Sequence, residues 1–294
     1  MRHASITMRI EEPLDLPSSL TSGQCFRWRV DDRGRWTGVL SGSIVRLERT
    51  RGGLRVASSP APPDETAHAL RAYFRIGDDL RAVQQRIAWD DNVRKGIVEY
   101  PGMRILRQEP WETLAAFILS STSNMVRISR TVELLATTFG ERLTLDGAVR
   151  HAFPDAARLA EAGEARLREL GCGFRAPYLA QAAEAVANGR LALEPLREAD
   201  YDEALAALTA LHGVGEKIAD CAMLFSLEKP EAFPADRWVL KVLREWYGLP
   251  ANAKYATARE WAWARFGADA GYANQYLFWR IRQSTRPLRS IASL

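Results

Sequence analysis

One short segment combines the residue types that chemistry beside a nucleic-acid backbone requires. Residues 211–236, LHGVGEKIADCAMLFSLEKPEAFPAD, predict a glycine hairpin, a helix carrying Lys217 and a loop that ends at Asp236. Gly213 and Gly215 allow backbone N–H groups to approach a phosphate closely. A lysine on a first helical turn is a candidate nucleophile when it is desolvated, because the helix dipole favours its neutral form. The segment therefore predicts a protein that grips nucleic acid and reacts beside it.

Asp236 has two compatible interpretations. It precedes an apolar stripe at helical spacing in 237–247, so it predicts an N-cap. Capping N–H groups keep a carboxylate ionised, and an ionised carboxylate stabilises positive charge that develops on a sugar. The alternatives are plainer: Lys217 as a surface lysine that touches phosphate, Asp236 as a cap alone, and the glycine turn as an ordinary helix connector.

The same segment resembles the helix-hairpin-helix DNA glycosylases. The residues that match the signature of this superfamily are Leu211, Gly213, Val214, Gly215, Lys217 and Asp236. The resemblance implies that Lys217 marks the bifunctional branch, whose lysine attacks the sugar C1′ and displaces the base. The resulting Schiff base then permits β-elimination of the 3′ phosphate. Asp236 takes the place of the catalytic aspartate.

Three further segments narrow the resemblance to the 8-oxoguanine DNA glycosylases. They are SGQCFRW (22–28), YFRIGDDL (73–80) and ILRQEPWETLAAFILSS (105–121), and the likeness extends from about Ser22 to about Arg282. It implies a base-excision-repair glycosylase and β-lyase that removes 8-oxoguanine opposite cytosine from damaged double-stranded DNA. It also implies a monomer that requires no cofactor, with a monovalent cation bound at the hairpin by the backbone carbonyls of Thr209, Leu211 and Val214.

The resemblance assigns a lesion pocket to widely separated residues. Gly23 would offer its carbonyl to the N7–H that only the oxidised base carries, and Phe278 would stack on the flipped base. Cys221 would face the other side of that base. If Lys217 is an ammonium and Cys221 a thiolate, the pair would form a dipole that favours the oxidised base. Without the family, Gly23 indicates a turn, whereas Phe278 and Cys221 indicate core residues.

DNA-binding residues are implied in the same way. Phe174 would insert beside the vacated position, because an enzyme that flips a base must fill the gap. Arg175 and Arg127 would hydrogen-bond the orphaned cytosine. Gly213 and Gly215 would contact a phosphate 3′ to the lesion, which fixes register without reading sequence. The alternatives are a core aromatic and two solvated arginines.

Three positions depart from the family pattern. Thr122 replaces the asparagine that contacts the orphaned cytosine, within a run that keeps Asn124 as a DNA-binding residue. Asn274, with Gln275 beside it, replaces the glutamine that contacts the Watson–Crick edge of the lesion. Trp238 replaces a phosphate-contacting histidine and cannot carry its positive charge. A broader set of damaged purines is therefore compatible with this pocket.

Composition sets wider limits. The chain has 294 residues, 47% of them hydrophobic, and a net charge of +4 from 40 basic and 36 acidic side chains, so charge alone is a weak argument for nucleic acid. Three scattered cysteines argue against a disulfide framework and exclude a four-cysteine cluster, and four scattered histidines show no zinc-ligand spacing. Without an apolar targeting segment, we expect a soluble cytoplasmic protein, nucleoid-associated if bacterial, with no membrane partner.

The elements that must position these residues change in character along the chain. Short β-prone segments at 6–10, 25–30, 36–40, 44–47 and 54–57, separated by turn residues, predict an antiparallel meander. After the prolines at 60–63 the apolar period becomes helical, as in 79–89 and 128–139, and helices are expected to continue to the C-terminus.

The sequence thus predicts an α+β protein. We expect an antiparallel β-rich N-terminal domain with trailing helices over 1–105, and a helical glycosylase domain over 106–294 that holds a helix-hairpin-helix at about 201–228 and the catalytic cleft. Two other functions remain open: a glycosylase for alkylated or other damaged purines, and a non-catalytic DNA-binding module that uses the hairpin as a phosphate clamp.

Overall fold

A five-stranded antiparallel sheet forms the N-terminal part of the computed structural model, which describes residues 4–285. Its strands are β1 (Ser5–Arg9), β2 (Arg29–Val30), β3 (Trp36–Leu40), β4 (Ser43–Thr50) and β5 (Gly53–Ser59), in the order β1-β5-β4-β3-β2. Strands β2 to β5 pair in chain order, as the predicted meander requires. The first predicted strand departs from it, because β1 pairs with β5 at the far edge and not with β2.

The predicted strand at 25–30 is wrong over most of its length, because only Arg29–Val30 pair with β3. The preceding residues alternate between two cores instead. Phe26 packs with the helices, whereas the Trp28 ring packs with the sheet and lies across Gly38 of β3, where an added Cβ would stand 2.5 Å from the ring. Residues 25–28 are therefore held by side-chain packing and not by the backbone hydrogen bonds of a strand, which their β-prone residue types had indicated.

Helices make up most of the remaining chain. Their bounds are α1 (Leu16–Thr21), α2 (Pro63–Tyr73), α3 (Leu80–Ile87), α4 (Asp91–Glu99), α5 (Pro110–Ile118), α6 (Met125–Phe139), α7 (Ala156–Leu167), α8 (Ala176–Ala187), α9 (Tyr201–Thr209), α10 (Glu216–Ser226), α11 (Arg237–Tyr247), α12 (Tyr255–Phe266) and α13 (Ala270–Thr285). None of these helices is both long and apolar enough to cross a bilayer within residues 4–285.

A second, two-stranded sheet interrupts the expected run of helices. Strands β6 (Arg142–Leu145) and β7 (Ala148–His151) form a hairpin around Asp146 and Gly147, which both have positive φ, 45° and 82°. This geometry is that of a two-residue hairpin turn, for which Asp-Gly is a favoured pair. Its inner residues, Leu143 and Leu145, pack against Ile44 of β4 in a small core of their own, separate from the one that holds the neighbouring Val45. Since successive side chains of a strand point to opposite faces, the hairpin covers the other face of the N-terminal sheet.

Helix α10 is the central element of the helical body. It is buried continuously from Ile218 to Ser226, and its Phe225 ring stacks on Phe117 of α5 with the ring centroids 5.5 Å apart. Helix α9, a short turn and α10 form the expected helix-hairpin-helix. Because its C-terminal part is enclosed, the first turn of α10 is the part that reaches an open cleft, and that turn carries Lys217.

Candidate active site

Lys217 stands at the exposed N-terminal end of α10. The preceding turn is closed by a hydrogen bond from the Val214 N–H to the Leu211 carbonyl (3.1 Å), and Gly215 is the N-cap of the helix. The Lys217 side chain is half-buried, with its Nζ 3.3 Å from Ser120 Oγ and 5.3 Å from the centre of the Phe117 ring. The amine is therefore positioned by one hydroxyl and one aromatic face.

Asp236 faces the same cleft from the N-terminus of α11. Its Oδ1 accepts the N–H groups of Trp238 (2.8 Å) and Val239 (2.9 Å), which confirms the predicted N-cap. The cap fixes the carboxylate at the positive end of the helix dipole, where negative charge is stabilised.

Two adjoining cavities form the cleft between these residues. Their lining comes from five helices and the loop before β2, and includes Gly23, Phe117, Ser120, Asn124, Met125, Lys217, Cys221, Asp236, Trp238, Asn274, Phe278 and Arg282. Their volumes, about 90 and 50 Å³, are far below the roughly 300 Å³ at which ligand pockets begin. A base entering this cleft must therefore widen it.

The predicted lesion-pocket residues meet in this cleft. Gly23 has φ +81°, a backbone conformation that favours glycine. An added Cβ would lie 3.0 Å from Met125 Cε and 3.4 Å from the Phe278 ring, so it would also press on the flexible end of Met125. Phe278 is half-buried on α13. Asn274, one turn earlier on the same helix, is buried and donates from Nδ2 to the Pro234 carbonyl at 3.2 Å.

Cys221 lies one helical turn after Lys217 and lines the inner cavity. Burial raises the pKa of the Cys221 thiol to about 11, and the nearby charge of Lys217 opposes this only in part. The thiol is therefore neutral at neutral pH in the unbound protein, so the condition for an ammonium–thiolate dipole is not met. The predicted position of the sulfur beside the lysine stands, but the ammonium–thiolate dipole does not.

Phe174, the residue predicted to insert into the DNA, lies on an exposed turn beside the cleft. Phe174 lies in a short 3-10 turn, Gly173–Arg175, and is 50% exposed. Arg175 is buried beneath it, with the guanidinium 4.3 Å from the centre of the Phe174 ring. Its Nε and Nη2 donate to the carbonyls of Ser121 (2.6 Å) and Thr122 (2.9 Å) in the loop between α5 and α6 (residues 119–124, the 120s loop). Arg175 therefore joins the Phe174 turn to this loop and does not stand in solvent.

The 120s loop leads into α6. Thr122 is exposed and has φ +48°, and Asn124 caps the helix by accepting the Arg127 N–H at 3.0 Å. Arg127 is exposed on the first turn. Asn124 reaches the cleft itself, whereas Thr122 lines the opening beside it, and Arg127 lies outside both linings.

The two hairpin glycines have different surroundings. Gly213 has φ +84°, and an added Cβ would lie 2.2 Å from the Tyr178 ring, so the turn is packed tightly on that tyrosine. A Cβ on Gly215 would meet no heavy atom within 4 Å among the described residues. Both line the opening shared with Lys217 and Asp236. Thr209 is the last residue of α9. The three carbonyls predicted to bind a cation therefore all lie in the connection between α9 and α10.

Three cleft residues were not anticipated. The Ser120 hydroxyl accepts a hydrogen bond from the Lys217 amine, and Gln275 lines the inner cavity. Arg282 of α13 is buried in the cleft wall with its guanidinium 4.8 Å from the centre of the Trp238 ring. Trp238 cannot carry charge, but the cation stacked on it does. Contacts between residues so distant in sequence leave no local pattern, so no sequence signal pointed to Arg282.

Comparisons with known proteins agree with this geometry. Residues 5–114 match the family model of the 8-oxoguanine DNA glycosylase N-terminal domain, and residues 115–266 match that of the HhH-GPD superfamily of base excision DNA repair proteins. The N-glycosylase/DNA lyase of Saccharomyces cerevisiae is 31% identical over 265 residues, which is 82% of this chain and 70% of that protein.

Solved structures show the same similarity over nearly the whole chain. MBOgg1 in complex with a low-affinity DNA ligand superimposes with a TM-score of 0.91 at 29% identity, covering 97% of this chain and 98% of that one. The Clostridium acetobutylicum 8-oxoguanine glycosylase/lyase, in complex with double-stranded DNA containing cytosine opposite 8-oxoG, gives 0.88 at 28% identity, covering 97% and 100%. The chain therefore belongs to the 8-oxoguanine DNA glycosylase family of the HhH-GPD superfamily and is a bifunctional base-excision-repair N-glycosylase/DNA lyase.

Proposed function

We propose that this enzyme excises 8-oxoguanine opposite cytosine from duplex DNA, using Lys217 as nucleophile and Asp236 as the stabilising carboxylate. One observation supports this most: a single cleft holds an amine, a capped carboxylate, a positive-φ glycine and an aromatic face. The Clostridium acetobutylicum relative, described as an 8-oxoguanine glycosylase/lyase bound to this base pair, supports the choice of substrate.

The proposed reaction begins with the neutral Lys217 amine. It attacks C1′ of the extruded nucleoside, and the glycosidic bond breaks with its electron pair leaving on the base. The attached nitrogen then loses a proton, and its lone pair expels O4′, which takes up a proton as the sugar ring opens. The resulting protonated C1′=N bond is the Schiff base. Loss of a C2′ proton then breaks the C3′–O bond and releases the 3′ phosphate. Ser120 orients the amine through its hydroxyl, 3.3 Å from Nζ.

Asp236 acts through its charge in this proposal. Positive charge develops on the sugar as the glycosidic bond breaks, and a fixed carboxylate stabilises it without reorganising. Oδ1 is bound to the helix N-terminus, which holds the carboxylate in place before the substrate arrives.

In this proposal, residues from the two ends of the chain and from α10 recognise the base. The Gly23 carbonyl accepts the N7–H of the oxidised base, Phe278 stacks on one face, and the neutral Cys221 thiol packs on the other. Asn274 reaches the Watson–Crick edge. Its Nδ2 is bound to the Pro234 carbonyl, which leaves its Oδ1 to accept from the base.

The DNA duplex is held by the surrounding loops. Phe174 fills the gap, with its ring supported by Arg175. Arg127 and the Nη1 group of Arg175 donate to the orphaned cytosine, since Nε and Nη2 of Arg175 are bound to loop carbonyls. Gly213 and Gly215 present N–H groups to a phosphate, while Trp238 packs beside the sugar.

A monovalent cation at the hairpin is part of the proposal. The carbonyls of Thr209, Leu211 and Val214 would hold it, and its charge would attract the adjacent phosphate. Leu211 accepts the Val214 N–H, and a carbonyl has a second lone pair for a cation. Within residues 4–285 no group of three or more His, Cys, Asp or Glu side chains is arranged to hold a metal ion.

We also propose a monomeric cytoplasmic enzyme with domains over 1–105 and 106–294. Three free, buried cysteines support a reducing compartment. The change of family model between residues 114 and 115 supports a division of the chain close to the proposed one.

Replacing Asp236 by asparagine tests the proposed chemistry. Asparagine caps a helix about as well as aspartate, so Asp236→Asn removes the charge and keeps the cap. We expect single-turnover release of 8-oxoguanine from an 8-oxoguanine:cytosine duplex to slow roughly a hundredfold or more. The matched control is Asp155→Asn at the N-cap of α7, outside the cleft, which should react like the wild type.

Two results would contradict the proposal. An Asp236→Asn enzyme as fast as the wild type would remove the carboxylate from the reaction. A wild-type enzyme that released 3-methyladenine from a duplex but left 8-oxoguanine in place would favour an alkylated-purine glycosylase instead.

A further inference from the structure

Ser22, the residue before Gly23, accepts two hydrogen bonds from the buried side-chain amide of Gln275. Gln275 of α13 donates from Nε2 to the Ser22 carbonyl (3.0 Å) and to Ser22 Oγ (2.7 Å). Both side chains are almost fully enclosed, Gln275 at 2% and Ser22 at 1% exposure. The peptide that joins Ser22 to Gly23 is therefore anchored to a helix from the opposite end of the chain.

The residue after Gly23 is held as well. The amide of Gln24 donates to the carbonyls of Ser19 (2.9 Å) and Arg104 (2.8 Å) and accepts the Leu106 N–H at 2.8 Å. Its backbone carbonyl accepts the amide of Gln108 at 2.7 Å. Gly23 is thus a single flexible residue between two fixed neighbours.

This arrangement matters because glycine does not fix its own conformation. Gly23 has φ +81°, and a glycine can adopt this backbone conformation or many others at little cost in free energy. A hydrogen bond to its carbonyl weakens steeply when the donor angle departs from linear. A carbonyl that distinguishes two bases by one N–H must therefore be oriented before the base arrives, and Gly23 has no side chain with which to do this.

We propose that Gln275 is a positioning residue for lesion recognition: by clamping Ser22, it aims the Gly23 carbonyl at the oxidised base. This inference rests on the proposed function, because it requires Gly23 to contact that base. Gln275 follows Asn274 directly and lies three positions before Phe278. One helix, α13, thus carries the clamp, the edge-facing amide and the stacking ring, so these three walls of the pocket keep a fixed relation.

Gln275→Leu, which removes both donors and keeps most of the volume, tests the inference by comparing two activities of one protein. The first is single-turnover release of 8-oxoguanine from a duplex opposite cytosine. The second is strand cleavage at a preformed abasic site, which uses Lys217 but offers no base to Gly23. We expect the ratio of the first rate to the second to fall roughly tenfold, the effect of about two lost hydrogen bonds.

A second variant and a control accompany this measurement. Ser22→Ala removes the Oγ that accepts from Gln275 and, at 3.4 Å, from Gln24, but it keeps the bond from Gln275 to the Ser22 carbonyl. We therefore expect a smaller fall in the ratio and, in the double variant with Gln275→Leu, little further loss. Gln283→Leu is the control: this half-buried glutamine is on the same helix but outside the cleft, and its ratio should equal that of the wild type.

The outcomes separate the inference from the proposed function. If the wild type releases no 8-oxoguanine, the proposed function fails and the role of the clamp fails with it. If the wild type releases it and Gln275→Leu has an unchanged ratio, the clamp alone is wrong. Equal losses of both activities in Gln275→Leu would show a purely structural contact and would likewise overturn the inference.

Discussion

Three polar side chains in or beside the cleft are bound to backbone atoms before any DNA is present. Asp236 accepts two helix N–H groups, Arg175 donates to two loop carbonyls, and Asn274 donates to the Pro234 carbonyl. Such bonds orient a side chain without neutralising it, as two opposite charges in contact would. The site is therefore preorganised at the scale of single residues, which is the arrangement that electrostatic catalysis requires.

Gly213 and Gly215 give a matched pair of alanine substitutions. Gly213→Ala places a Cβ against the Tyr178 ring at a positive φ, so we expect a loss of more than about 2 kcal/mol in the free energy of unfolding. Gly215→Ala meets open space and should change stability by less than about 1 kcal/mol, while weakening duplex binding, because its methyl group stands beside the phosphate-binding N–H groups. Denaturant unfolding and duplex titration measure the two effects; equal stability of the variants would contradict this account.

Thr122 combines a left-handed backbone with a β-branched side chain, which is an unfavourable pairing. Asparagine tolerates this conformation and also supplies an amide for the orphaned base. We expect Thr122→Asn to gain about 0.5–1 kcal/mol in unfolding free energy and to increase the ratio of excision opposite cytosine to excision opposite adenine. Thr122→Gly is the control, because it relieves the backbone but brings no amide. A base preference that rises equally in both variants would rule out a contact from residue 122.

Individual residues were predictable only where a motif surrounds them. Lys217 and Asp236 follow from the hairpin and from the proline-broken loop before α11. Ser120, Gln275 and Arg282 do not, because each acts through a neighbour far along the chain. The ionisation state of Cys221 could not be predicted from the sequence, since depth of burial decides it and the sequence does not show burial directly.

Helix α10 is held on several sides by its neighbours. Its Phe225 stacks on α5, and its buried Asp220 accepts the hydroxyl groups of Tyr201 (2.6 Å) from α9 and Tyr255 (2.5 Å) from α12. These contacts come from three separate helices, so the first turn of α10 cannot shift without disturbing all of them. Lys217 therefore projects from one of the most constrained elements of the protein.

Glu228, just after α10, joins four parts of the chain. Its carboxylate pairs with Arg107 (2.8 Å) before α5, Arg75 (2.8 Å) after α2 and Arg197 (3.4 Å) before α9. Burial alone would raise the pKa of Glu228, but hydrogen bonds and charges from Arg107 and Arg75 outweigh it and lower the pKa to about 2. The ionised form therefore stabilises the fold.

Glu228→Gln should lower the free energy of unfolding by about 1–3 kcal/mol at neutral pH. Because the folded pKa is depressed below the ordinary value of 4.5, this contribution is complete above about pH 5 and is lost as pH falls toward about 2. The difference between wild type and variant should therefore shrink over that interval in denaturant unfolding. Glu184→Gln, from an exposed pair at 4.0 Å, is the control; a difference independent of pH would contradict the account.

Elements were predictable where their ends carry signals. Helix α11 has the predicted bounds because Asp236 caps it and Gly248, in the left-handed conformation, ends it. Helix α1 was missed because six residues are too few to show a period. The β6–β7 hairpin was missed although Asp146-Gly147 is a strong turn signal, and attention to that pair would have found it.

At the scale of the whole molecule, the cleft gathers residues from both ends of the chain. Gly23 comes from the segment beside the N-terminal sheet, Phe278 from the last helix, and Lys217 and Asp236 from the helices between them. The net charge of +4 on 294 residues is small, so DNA affinity depends on where cations lie rather than on their excess. The resemblance to a family predicted this assembly; composition and periodicity alone predicted only its α+β class.

Trapping the covalent intermediate tests the central claim, that the Lys217 amine forms the Schiff base. Borohydride reduction during reaction with an 8-oxoguanine:cytosine duplex should yield a protein–DNA adduct that peptide mass spectrometry places on Lys217. Lys217→Gln should give no adduct, whereas Lys241→Gln, an exposed lysine paired with Glu245 on α11, should give the wild-type amount. An undiminished adduct from Lys217→Gln, or wild-type attachment at another lysine, would contradict the account.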